Sequence, residues 1–92
     1  MSELLRLVEV MDRLRSPGGC PWDAEQTHES LVKYLLEESY EFIDALGEGD
    51  REGMRVELGD VLLQVYFHSR MAQDPPTDPF SMEDVAKLIA DK

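Results

Sequence analysis

The chain is predicted to be all-α, and three observations carry that prediction. Apolar residues recur at three- and four-residue spacing through most of its 92 residues. Glycine- and proline-rich turn signals interrupt the pattern. No stretch alternates apolar and polar residues as a half-buried strand does. Four helices are expected, packed as a bundle that oligomerisation completes.

Leu4, Leu7, Val8, Met11 and Leu14 share one helical face, so the first helix is expected over about residues 2–15. Ser16-Pro17-Gly18-Gly19 ends it, and Cys20-Pro21-Trp22-Asp23 reads as a stiff loop. A second helix is expected from Thr27 to Leu46, with Thr27 and Ser30 as its capping hydroxyls and Leu31, Leu35, Phe42 and Leu46 as its apolar stripe. Gly47-Glu48-Gly49-Asp50 is a turn signal that folds the next helix back antiparallel. That helix, about Arg51 to Gln73, is apolar nearly all round between Val61 and Phe67 and needs cover on more than one side. A domain this small has few elements to spare, so a second copy is the expected cover. Asp74-Pro75-Pro76-Thr77-Asp78-Pro79 is a stiff linker, and Ser81 begins a short last helix with Val85, Leu88 and Ile89. Residues 1–92 are expected to form a single domain.

The formal net charge of −11 argues against nucleic acid or an anionic membrane as a partner, because both need a basic footprint. It is compatible with a nucleotide substrate if metal ions offset the charge locally. One cysteine, Cys20, forms no internal disulfide, and no leader or membrane-length apolar run is seen, so a cytoplasmic setting is expected.

Two acidic signatures carry the chemistry: Glu37-Glu38-x-x-Glu41 and Glu57-x-x-Asp60. At about 100° per residue, Glu38 and Glu41 lie roughly 60° apart on one helix, and Glu57 and Asp60 likewise on the next. The hairpin brings the four together. Acidic helix faces are often simply solvated. Here the carboxylates interrupt apolar runs, like charges at these spacings repel without a counter-ion, and Gly59 sits mid-helix as if to admit another helix or a ligand. A cation accounts for all three. Oxygen-only ligands suit Mg²⁺, with Mn²⁺ as the alternative. Di-iron sites need two Glu-x-x-His pairs and only Glu25 to His28 provides one; zinc prefers Cys and His, which are scarce here. No phosphate-cradling glycine loop is present. What remains is metal-assisted hydrolysis of a polyphosphate.

Gly19-Cys20-Pro21-Trp22-Asp23, Gln26-Thr27-His28, Tyr34-Leu35-Leu36-Glu37-Glu38-x-Tyr40-Glu41 and Glu57-Leu58-Gly59-Asp60-Val61-Leu62-Leu63-Gln64-Val65-x-Phe67-His68 together resemble the MazG family of nucleoside triphosphate pyrophosphohydrolases. The resemblance runs from about Leu4 to Asp91. It implies an all-α fold, a dimer or higher assembly, and Mg²⁺-dependent cleavage of nucleoside triphosphates between the α and β phosphates. The products implied are a nucleoside monophosphate and pyrophosphate, as in the clearing of nucleotide pools. It makes Glu38, Glu41, Glu57 and Asp60 metal ligands and Glu37 an auxiliary carboxylate, for a second ion or for the attacking water. Family members continue past the position of Lys92 with a basic, His-containing segment, so a C-terminally trimmed domain is one expectation.

Lys33 and Arg55 are within helical reach of the acidic groups and are candidates for phosphate contact, against an ordinary surface ion pair. Trp22 is a candidate for stacking on a base, against a structural role in its loop. Cys20, Tyr40, Tyr66 and His68 read as packing residues. Two alternatives stay open: a non-catalytic dimerisation or regulatory module that keeps the fold, and a relative selective for pyrimidine deoxynucleoside triphosphates.

Overall fold

The computed structural model describes residues 2–92. They form five helices: α1 (Glu3–Arg15), α2 (Pro21–Glu25), α3 (His28–Gly47), α4 (Arg51–Met71) and α5 (Met82–Ala90). No strand occurs among the described residues, as expected. The additional helix is α2. It is built from the Cys-Pro-Trp-Asp segment expected as a loop, because Pro21 occupies the first helical position, where a missing N–H costs nothing.

The chain divides into two compact units. One comprises the chain up to Gln26 together with Tyr66–Lys92; the other is Thr27–Val65, which is α3 and most of α4. In the first unit Met11, Phe67, Met71 and Ala72 are buried with Tyr66, so the packing role expected of Tyr66 is met. Arg15 ties this unit together. Its guanidinium donates to the Gln26 carbonyl at 3.2 Å, pairs with Asp74 at 3.5 Å and stands 5.8 Å from the centre of the Phe67 ring. Arg70 bridges Asp12 (2.9 Å) and Asp74 (2.7 Å), joining α1 to the segment after α4. Gly19 has no freedom to be anything larger, since a Cβ there would collide with the carbonyls of Arg13 and Leu14.

The second unit is an αα-hairpin, and its ends are fixed by local chemistry. Thr27 and Ser30 cap α3 reciprocally, each side chain accepting from the other's amide at 3.1 and 2.9 Å. Gly49 closes α3 in the left-handed region at φ +69°. Its amide donates to Leu46 and that of Asp50 to Ala45, both at 3.1 Å, which is the paired bonding of a Schellman motif. The Asp50 carboxylate then accepts from the Gly53 amide at 2.9 Å and starts α4. The turn expected at 47–50 is therefore three residues that end one helix and begin the next.

α3 has two apolar faces rather than one. Leu31 and Ala45 are buried, but Leu35 and Leu46 from the expected stripe are exposed. Val32, Leu36, Tyr40 and Ile43, about a third of a turn or more away around the helix, are each more than half exposed. Tyr40, expected in the core, is 60% exposed because it lies about 200° round α3 from Glu38, on the far side from the acidic face. Gly59 is also not where the chain is approached: a Cβ there would meet nothing within 4 Å. Gly59→Ala is accordingly expected to stabilise the protein by about 0.5–1 kcal/mol, the usual gain for Ala over Gly inside a helix. Chemical denaturation reads this directly. A loss of stability would instead mark Gly59 as a contact with another chain.

Candidate metal centre

The hairpin register places the acidic side chains. Glu41 and Glu57 are equidistant in sequence from Gly49, and so are Glu38 and Asp60. Folding about that residue sets each pair side by side. One carboxylate oxygen from each of the four lies within 4.8 Å of all the others. Glu38, Glu57 and Asp60 are half-buried, while Glu41 is exposed.

Four negative groups at this spacing oppose one another. Burial pushes the Glu38 carboxyl up to about 7, and the charges of Glu41, Asp60 and Glu57 push the same way. Glu57 is raised as well, again by loss of solvent first and then by Glu41 and Asp60. One oxygen of Glu38 and one of Glu57 are shut off from solvent without a hydrogen-bond partner. Buried carboxylate oxygens are ordinarily paired, so both are ready acceptors for a cation. An all-oxygen, multiply charged donor set of this kind fits a hard divalent ion.

The remaining candidates are not among these four carboxylates. Glu37 is exposed, one residue and about 100° from Glu38, and is not among the converging carboxylates. Lys33 is exposed, with its ammonium 5.0 Å over the Tyr34 ring. Arg55 points to solvent and pairs with Glu52 at 3.1 Å, the surface ion pair expected as its alternative role. Trp22 belongs to the other unit, where it is about half exposed. The sequence pattern alone did not single out Gln64. It is buried to 8% exposure with an unpartnered amide oxygen. The signal was available, since Gln64 is the one polar residue in the apolar run from Val61 to Phe67 apart from the phenol of Tyr66.

The sequence from residue 26 to 92 matches the MazG nucleotide pyrophosphohydrolase domain. The chain belongs to the MazG family. Both acidic signatures fall inside the matched stretch. Among proteins similar to it are the nucleoside triphosphate pyrophosphohydrolase of Mycolicibacterium smegmatis, 54% identical over 97% of this chain and 27% of that protein, and the enzyme of the same name from Escherichia coli K12, 45% identical over 100% of this chain and 35% of that protein. A nucleoside triphosphate pyrophosphohydrolase/pyrophosphatase MazG of Thermotoga maritima is 51% identical over 94% of this chain and 33% of its own length. The chain thus spans between about a sixth and two-fifths of the length of the curated relatives it matches. No helix among the described residues is long and apolar enough to cross a membrane.

Proposed function

We propose that this MazG domain is a Mg²⁺-dependent nucleoside triphosphate pyrophosphohydrolase, converting NTPs or dNTPs to the monophosphate and pyrophosphate. The observation that carries the reading is the ring of Glu38, Glu41, Glu57 and Asp60, with two buried oxygens that lack partners, in a chain of this family. These four would hold the ion, with Mn²⁺ as a substitute. Bound there, it would offset the charge of the triphosphate and lower the pKa of water.

The protein's own part is to fix that charge in place. Water adds at the α–β anhydride, the bridging P–O bond breaks, and pyrophosphate leaves; the proton released passes to a carboxylate or to solvent. Glu37, exposed beside Glu38, is proposed to orient the water. Lys33 and Arg55 are proposed to contact the phosphate tail, Arg55 after leaving Glu52. An exposed surface pair of that sort is worth at most about 1 kcal/mol, so releasing it costs little.

A second copy of the chain is proposed to cover the stripe of Val32, Leu36, Tyr40 and Ile43, giving a dimer or tetramer. Neither nucleic acid nor membrane is expected as a partner, given the net charge of −11. A cytoplasmic setting suits the lone thiol of Cys20.

The test is to incubate the protein with each NTP and dNTP in the presence of Mg²⁺ and resolve the products. Monophosphate with pyrophosphate is expected. Diphosphate with inorganic phosphate would refute the reaction, and no turnover by an assembled protein would favour a non-catalytic module.

A further inference from the structure

We propose that Gln64 is a positioning residue of the metal centre, its buried amide oxygen accepting a hydrogen bond from water carried by the bound ion. The inference rests on the metal-site reading above and extends it to a residue outside the acidic signatures.

Gln64 is 8% exposed, and its Oε1 is closed to solvent with no hydrogen-bond partner. An unpaired buried amide oxygen forfeits its hydration with no return, and an apolar residue of the same size would avoid that loss. Its presence points to a donor that is not part of the fold.

Helix geometry says where that donor sits. Gln64 follows Asp60 by four residues and Glu57 by seven, so it is offset by about 40° from the first and about 20° from the second. In projection it falls between them. Side chains on a helix lean toward its N-terminus, which carries the amide back toward the turn that bears Asp60. The hairpin register agrees. Gln64 and Tyr34 are equidistant from Gly49, which places them in the layer next to Glu38 and Asp60.

Oε1 is closed to bulk solvent, so its donor has to enter together with the ion. Mg²⁺ held by carboxylates keeps several of its waters, and those waters are strong donors. A neutral amide supplies an acceptor without adding a fifth negative charge to a ring in which Glu38 and Glu57 already have raised proton affinity.

The experiment is calorimetric titration of wild type, Gln64→Met and Gln64→Glu with Mg²⁺ and with Mn²⁺ at pH 8, alongside the melting temperature of each protein without metal. Gln64→Met keeps the length of the side chain and removes the acceptor. It is expected to weaken both ions by about tenfold, the lower end of what loss of an outer partner costs a metal site. Its metal-free melting temperature is expected to stay level or rise. Gln64→Glu retains an acceptor and is expected to bind the ions at least as tightly as wild type, with a lower metal-free melting temperature. Unchanged ion affinity in Gln64→Met overturns the assignment, as does weakened affinity that Gln64→Glu does not restore. If wild type itself gives no binding heat, the metal-site reading fails and this inference with it. Wild-type binding matched by Gln64→Met removes the role of Gln64 alone.

Discussion

Asp60→Ala and Glu38→Ala are each expected to lower pyrophosphohydrolase turnover by more than about 100-fold while leaving the helical content unchanged. The size follows from what each residue contributes. Loss of an outer partner of a metal ligand typically costs about 10–100-fold, and loss of a ligand itself should exceed that. A factor of 100 corresponds to about 2.7 kcal/mol of transition-state stabilisation. The fold should survive because neither side chain carries its packing. The hairpin is held by the Thr27–Ser30 capping box, by the Gly49 closure and by the Asp50 cap, all distant from the substitutions. Steady-state kinetics with saturating Mg²⁺, together with far-ultraviolet circular dichroism, separates the two effects. A variant that turned over at the wild-type rate would remove that residue from the site. Glu37→Ala discriminates further. Its side chain lies outside the ring, so it is expected to lower turnover while leaving Mg²⁺ affinity near that of wild type.

The ring was legible in the sequence because it depends only on helical spacing and a turn. Glu38 with Glu41, and Glu57 with Asp60, are fixed by the repeat of an α-helix, and the glycine pair around Glu48 marks the fold-back that joins them. Capping was legible for the same local reason: Thr27 with Ser30, and Ser81 ahead of α5, form reciprocal caps. What was not legible is whatever depends on distant chain. Pro21 is a separate case: it reads as a breaker, yet as the first residue of α2 it opens a helical turn in which the Ala24 amide donates to the Cys20 carbonyl at 3.0 Å. Periodicity marks α3 as amphipathic without saying which of its two apolar faces is covered. Leu31 is almost wholly buried, yet Leu36 and Tyr40 are not. Gln64 is the converse case. Its position on the face of Glu57 and Asp60 follows from spacing, but that its oxygen lacks a partner can be known only once the fold has closed around it.

Without metal, the protein is expected to be more stable at pH 5 than at pH 8, and Mg²⁺ is expected to reverse that order at the higher pH. The sign follows from Glu38. Its carboxyl titrates near 7 in the folded chain against an ordinary 4.5, so between those values the native state holds a proton that the unfolded state has released. Stability therefore falls as pH rises through that window, and the penalty is fully present above about 7. Glu57, raised by the same neighbours, adds in the same direction. A divalent ion bound among these carboxylates replaces the protons. At a free concentration 100 times its Kd, an ion that binds only the native state stabilises it by about 2.7 kcal/mol. At pH 5 protons compete for the same oxygens, so the gain should shrink. Melting curves at both pH values, with and without Mg²⁺, check all four corners. Glu38→Gln gives the decisive comparison: it removes the titration and one ligand together. Its metal-free melting temperature at pH 8 should rise above wild type, its pH dependence should flatten, and its response to Mg²⁺ should largely disappear. A packing role for Glu38 would predict the opposite first result. Replacing the carboxylate would then disturb the packing around it instead of relieving repulsion, and the metal-free melting temperature would fall.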